Sequence, residues 1–444
     1  MKPSACMQPG EAAVYQKMNM EQLAACKMLP LNMLECLEKG DRTSKDCALA
    51  YARYQGQVVS LPMAEGPALA WSFDLDSPLR SLLPMGDGTW LVRQDKAILA
   101  IGPGRQLWKT KLAASSSNLL ADLGGGVVLA SADDRTLVAL DALTGQQRWK
   151  TQALQEDVRA VFTLSPGSGT GTELLLANGA WMSLHPADCR KGAPGCVRPT
   201  GADIGEAIFA NPEAVFHTET SRTFFTSKHL VQTDAKGKLI FRIDARDKFS
   251  GAVPHEDKQL LLSGDGWIFA LDPLLCRSET PIFLTPRTPK PKTMEELDLD
   301  HAAPPGCIIW RTPVSTPMGG HPLSLGDKGL VLQIRDHLVK FESGKFSWRV
   351  GVAATGTPAI TKDGRIFVLS KPLDKRDHPG LRCLSGSTGL TLWRTALGTE
   401  WLPGLSRAET VGVTINGPWL LAYAGRHIAA IDLRVPPKPL ARRP

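Results

Sequence analysis

The chain has 444 residues, 43% of them hydrophobic and 21% charged. That balance suits a globular protein and excludes disordered, collagen-like and coiled-coil classes. The net charge of +7 is mild over this length, so no nucleic-acid partner is expected. No run of about 18 apolar residues exists, so no transmembrane helix is expected. With 41 Gly and 33 Pro, the chain is rich in turns and therefore in short strands. Length alone suggests about three domains, a prior that all-β folds often exceed as one unit.

The N-terminus carries no secretory signal, because Cys6 is followed by Gln8, Pro9, Gly10 and Glu11 and not by an apolar stretch. Taken literally, the chain stays in the cytoplasm. Ser4-Ala5-Cys6 resembles the end of a lipoprotein cleavage box, with Pro3 against it. Residues 10–56 have helical composition, with Pro30 opening a second helix and Ser44 or Thr43 capping a third. A unit this small folds poorly alone, and disulfides among Cys6, Cys26, Cys36 and Cys47 would help it. It reads equally as a docking appendage or as a brace against the rest of the chain.

The nine cysteines argue for an oxidising compartment. Cys189 and Cys196 flank a Gly/Pro turn, and Cys276 and Cys307 bracket a Pro-rich insertion. Both pairs are disulfide candidates, the connectivity of the first four cysteines stays open, and Cys383 is expected as a thiol. The alternative is a set of unrelated buried thiols. Together these readings give an extracytoplasmic location, periplasm or cell envelope, with the cytoplasm as the alternative.

From residue 63 onward the chain repeats itself. Leu137-Val-Ala-Leu-Asp-Ala-Leu-Thr-Gly145-Gln-Gln-Arg-Trp149 nearly superimposes on Leu381-Arg-Cys-Leu-Ser-Gly-Ser-Thr-Gly389-Leu-Thr-Leu-Trp393. The interval from Gly to a bulky aromatic recurs at Gly104–Trp108, Gly237–Phe241 and Gly344–Trp348. An apolar strand precedes each such hairpin, and a fourth short strand precedes that, so each unit has four strands. Units of ~40–50 residues with four strands read as β-propeller blades. Trp310-Arg-Thr closes a blade interrupted by the insertion, and Cys383 fills the slot of Ala139. The last unit, around His427–Asp432, lacks its outer strand, while Trp71 stands in a strand that no hairpin precedes. The expected fold is therefore all-β: an eight-bladed β-propeller over 63–435, closed by the strand around Trp71. Seven blades is the alternative if 173–206 is an insertion. A helical cysteine-containing segment (1–62) precedes the propeller, and a basic Pro-rich tail (436–444), expected to be disordered, follows it.

The pattern Ala-Leu-Asp-Ala-x-Thr-Gly-x-x-x-Trp resembles the tryptophan-docking motif of the pyrroloquinoline-quinone (PQQ)-like propellers, over roughly 69–433. That superfamily includes quinoprotein alcohol dehydrogenases and a propeller lipoprotein of the outer-membrane assembly machinery. The aromatics Trp71, Trp108, Trp149, Phe241, Trp310, Trp348 and Trp393 are read as architecture that stiffens the contact between blades. For a dehydrogenase the resemblance would imply an adjacent Cys-Cys pair and a Ca²⁺ held by Glu, Asn and Asp. No two cysteines are adjacent here. No Gly-x-Ser-x-Gly elbow or His-x₃-His pair occurs, and Gly167–Gly171 lacks a phosphate-binding Lys. The carboxylates of 295–300 do not match an EF-hand loop and read as a solvated loop. The expectation is a monomeric, non-catalytic scaffold with no metal or cofactor, binding protein partners through its loops, above all 277–306. The alternative is a quinone-dependent enzyme or a small-ligand sensor using the channel.

Overall fold

The computed structural model describes residues 64–439, apart from 113–118, 133–134, 163–171, 179, 192–194, 204–213, 218–220, 235–237, 245–248, 256–257, 264–266, 278–281, 284–305, 314–322, 326–328, 335–336, 343–344, 373–377 and 408–409. The helical segment expected at 1–62, with Cys6, Cys26, Cys36 and Cys47, lies outside the described residues. The described residues fall into two compact units, one within 73–322 and one of 64–72 with 323–439.

The unit 73–322 is a series of antiparallel sheets. The first runs Ser81–Pro84, Trp90–Gln94, Ala97–Gly102 and Arg105–Lys111, each strand pairing with the next. The second repeats the order with Leu120–Asp122, Val127–Ser131, Leu137–Asp141 and Gln147–Lys150. The third comprises Val158–Phe162, Thr172–Leu176, Ala180–Leu184 and Val197–Asp203. Ala214–His217, Ser221–Phe225, His229–Asp234 and Leu239–Asp244 follow, then Phe249–His255, Lys258–Ser263, Trp267–Leu271 and Ile308–Pro313.

The burial pattern explains the sequence pattern. Middle strands such as Trp90–Gln94, Ala97–Gly102 and Val127–Ser131 are buried at every position. Both faces of these sheets are covered, so the strands read as continuous apolar runs. The outermost strand Arg105–Lys111 is mostly exposed and carries polar residues. Arg93 breaks the apolar rule: it is wholly buried, with no hydrogen-bond partner on its guanidinium among the described residues, and burial lowers its pKa.

In the other unit, Leu323–Ser324, Leu330–Ile334, His337–Glu342 and Lys345–Gly351 form one sheet. Ala354–Ile360, Arg365–Ser370, Gly380–Ser385 and Thr391–Ala396 form the next four-strand run. It joins Val411–Asn416, Trp419–Ala424 and His427–Asp432 through a parallel contact of Thr357 with Gly412. Trp71–Asp74 lies beside His427–Asp432, and the Ala70 amide donates to the Ala430 carbonyl at 2.8 Å. The start of the repeat region thus completes the last four-strand run. The chain is all-β and propeller-like in its sheet arrangement, and its described helices are short, at Pro186–Arg190 and Leu402–Arg407.

The insertion and the tail each contribute a short strand, in the tail's case against the expectation of disorder. Ile282–Phe283, inside the insertion 277–306, pairs in parallel with Leu239–Asp244, and Ile282 is buried. Lys438–Pro439, in the basic tail, pairs with Ala64–Glu65, which itself adds in parallel to Thr391–Ala396. Both additions cover an outer edge whose backbone groups would otherwise lack partners. Neither strand is legible in composition, because two residues suffice to occupy an edge and are too few to form a pattern.

Aspartates open several hairpin turns by accepting from the amides that follow. Asp141 accepts from Leu143 at 3.0 Å and Thr144 at 2.9 Å, Asp272 from Leu274 at 2.9 Å, and Asp432 from Arg434 at 3.0 Å. The Arg148 guanidinium, 2.6 Å from Asp141, is the main reason that this carboxyl is held down to about 2. Asp432 is lowered chiefly by Arg434, and Asp95 chiefly by Arg80. A carboxylate depressed in the folded state contributes stability fully above its unfolded value of ~3.9 and loses it as pH falls through the folded value. The urea midpoint is therefore expected to be flat above about pH 4.5 and to fall between about pH 4 and 2. Asp141→Asn should make that acid fall shallower, as read from midpoints in a pH series.

Candidate functional site

The feature repeated from sheet to sheet is a turn that receives an aromatic side chain from its neighbour. Trp108, on the outer strand Arg105–Lys111, donates from Nε1 to the Ala142 carbonyl at 3.0 Å. Thr110, two residues on, donates to the Gly145 carbonyl at 2.6 Å. Trp348 repeats the contact, donating to the Gly386 carbonyl at 3.0 Å. The acceptor in each case directly follows the turn's opening residue, Asp141 or Ser385.

The repeated spacing now has a steric reason. Gly145 has φ +70°, and a Cβ there would stand 2.4 Å from the Trp108 ring. Gly389 has φ +71°, and a Cβ would meet the Trp348 ring at 2.8 Å. Only glycine serves both the left-handed turn and the ring lying on it. Trp393 has no following hairpin to dock on, because its neighbour is closed by the entering chain. The buried pair Gly66–Pro67 takes that place: Thr395 donates to the Pro67 carbonyl at 2.8 Å, and a Cβ on Gly66 would lie 2.5 Å from the Trp393 ring.

A second regularity is invisible in a period-two reading. The pairing register shifts immediately before the aromatic in six outer strands among the described residues. Trp108, Trp149, Phe241, Trp310, Trp348 and Trp393 sit opposite Ala100, Ala139, Gln232, Ala270, Lys340 and Cys383. The residue before each is an extra one, a β-bulge that re-aims the ring. The aromatic's direction therefore comes from this bulge and not from simple alternation. Trp71 lies half-buried on Trp71–Asp74, and Trp310 is half-buried on Ile308–Pro313.

The cysteines fall in the same places. Cys189 and Cys196 form a disulfide, as do Cys276 and Cys307, and all four are buried. The first pair shares an apolar cluster with Trp149, the second with Phe241. Cys383 is a buried free thiol opposite Trp393, pushed up to about 12 by burial. It is a packing residue, not a nucleophile.

The turns also carry the apolar residues that sequence reasoning missed. Leu143 is 86% exposed and Leu274 68%, each two residues after the turn's opening Asp, with Leu275 and Ile309 exposed close by in the chain. Ser183 and His185 lie 3.0 Å apart, and His229 meets Asp244 at 2.7 Å. Among the described residues no three His, Cys, Asp or Glu side chains converge on a point that could hold a metal. No described helix is long and apolar enough to cross a membrane.

Four-stranded antiparallel sheets whose outer aromatic docks on the next sheet's Gly turn define a propeller built from PQQ-like repeats. A family model described as outer membrane protein assembly factor BamB matches residues 55–188 and 298–434, and the chain belongs to that family. Among solved structures it is similar to the computationally designed protein Ika8, at TM-score 0.54 and 11% identity, covering 82% of this chain and 99% of that one. It is also similar to BamB from Moraxella catarrhalis, at TM-score 0.50 and 13% identity, with the same coverage. At such identities the likeness shows the fold alone. No curated protein matches.

Gly145→Ala is expected to destabilise the protein by more than the ~1–2 kcal/mol of a left-handed residue, because the added methyl also displaces Trp108. Trp149→Ala, at a buried site, should cost about 3–5 kcal/mol. Denaturant titration checks both. In the native, unreduced protein Cys383 should resist iodoacetamide and become reactive only after unfolding, as read by peptide mass mapping.

Proposed function

We propose that this protein is a non-catalytic scaffold of the cell envelope that holds a protein partner during outer-membrane protein assembly. Family membership is the observation that carries this reading. Two disulfides favour an oxidising, extracytoplasmic location for it. Eight blades are part of the proposal: the run Val411–Asn416, Trp419–Ala424 and His427–Asp432 with Trp71–Asp74 would be the eighth, counting in chain order from Ser81–Pro84. So is a monomeric state.

Contact through the turns and loops follows from the physical layout. The sheets are stiffened by docked aromatics, so adaptable recognition is left to the connections. Leu143 and Leu274 are large apolar side chains exposed on turns, and covering them with a partner would remove apolar surface from water.

The test combines in-cell crosslinking and capture with a double variant, Leu143→Asp with Leu274→Asp. Both side chains are exposed, so the melting temperature should stay within about 2 °C. Wild-type protein should capture outer-membrane assembly components, and the variant should lose them. A captured set without envelope proteins, or dye-linked alcohol oxidation on adding PQQ and Ca²⁺, would overturn the proposal.

A further inference from the structure

The two disulfides occupy one position in the repeat. In the uninterrupted turn Asp141–Gly145, the fifth residue donates its amide back to the carbonyl of the first, Gly145 to Asp141 at 2.8 Å. The first residue's amide donates to the carbonyl of the sixth, Asp141 to Gln146 at 2.8 Å. Ser385–Gly389 repeats both bonds, Gly389 to Ser385 at 2.7 Å and Ser385 to Leu390 at 2.9 Å.

The cysteine turns make the same pair of bonds. Cys276 donates to the Asp272 carbonyl at 3.0 Å, and Asp272 to the Cys307 carbonyl at 2.9 Å. Cys189 donates to the His185 carbonyl at 3.1 Å, and His185 to the Cys196 carbonyl at 2.8 Å. Cys189 and Cys276 therefore stand at the fifth position, Cys196 and Cys307 at the sixth. The count along the returning strand agrees: Trp310 stands as far beyond Cys307 as Trp149 beyond Gln146 and Trp393 beyond Leu390. Residues that a peptide bond joins in the plain turns are separated here by 190–195 and by 277–306. The disulfides hold their Cα atoms 5.0 and 4.5 Å apart, against about 3.8 Å across a peptide bond.

We infer that each disulfide is a splice: it restores the link between the fifth and sixth turn positions across an inserted loop, and the packing of Trp149 and Phe241 in the same apolar clusters as these turns awaits thiol oxidation. Two thiols become one disulfide, and the two electrons and two protons pass to the disulfide of a thiol oxidoreductase, which leaves as a dithiol. Cys383, at a mid-strand position outside these turns, stays reduced. This inference concerns maturation of the fold and stands whether or not the scaffold reading holds.

The shorter loop gives the cleaner experiment, because Ile282 of the longer one fills a core. Three proteins are compared with wild type by thermal melting without reductant. The first keeps the loop and loses the link, Cys189→Ser with Cys196→Ser. The second loses the loop and regains the link through the backbone, by deletion of 190–195 with Cys189→Gly and Cys196→Gln. The third adds Trp149→Ala to the first and is read against Trp149→Ala alone. The serine pair should melt roughly 3–5 °C lower, while the spliced chain should melt within about 1 °C of wild type. The effect of Trp149→Ala should shrink markedly in the serine background, because the ring has already lost its platform. A spliced chain that fails to fold, or melts no higher than the serine pair, overturns the inference. So do strictly additive melting shifts, the result for a cross-link unconnected with docking. Should the serine pair not fold at all, the spliced chain alone decides.

Discussion

The contact on which this structure rests is an indole laid on the backbone of its neighbour's turn. A four-stranded sheet with two apolar faces cannot persist in water, so each must be covered by another. Burial of the faces is non-directional and would tolerate many relative placements. The docked tryptophan removes that freedom. At Trp108 and Trp348 the Nε1–H donates to the carbonyl after the turn's first residue, and the ring lies where no Cβ is allowed. A large apolar payload with a polar tip suits a site with an apolar wall and one open carbonyl. The bulge before the aromatic serves the same end, turning the ring toward the neighbouring turn.

Where the plain turn is missing, the chain supplies a substitute. Gly66–Pro67 receives Trp393 where the chain enters. Disulfide-linked turns share the apolar clusters of Trp149 and Phe241. The same economy covers edges: Ala64–Glu65 and Ile282–Phe283 each occupy an outer strand in parallel. An open edge invites pairing with other chains, and two residues are enough to block part of one.

A frame determined this closely separates stability from recognition. The buried thiol at Cys383 and the packed strands allow little change, whereas the turns project Leu143 and Leu274 into water from rigid supports. Substitution at these tips leaves the docked backbone untouched. Inserted loops are likewise tolerated when their ends are held together, and the Cys276–Cys307 bridge does this for a long one.

The repeat was legible in the sequence because its cause is local. A turn with a positive φ needs Gly145, a strand covered on both faces needs runs like Val127–Ser131, and the aromatic follows at a set interval. The orphan strand at Trp71 could be matched to the incomplete last unit for the same reason. The cysteine pairs were suggested by their turns, but their meaning was not. That Cys276 and Cys307 stand at adjacent turn positions depends on hydrogen bonds across some 30 residues of inserted chain, which no local pattern records. The bulges, the stand-in role of Gly66–Pro67 and the strands at Ile282–Phe283 and Lys438–Pro439 were hidden for a related reason. Each is defined by a partner far away in the chain, and one or two residues leave no periodicity to read. Sequence by itself determined the unit and its spacing. Only the tertiary structure decided what each turn touches, because docking is a relation between units, and its geometry exists only once both are folded.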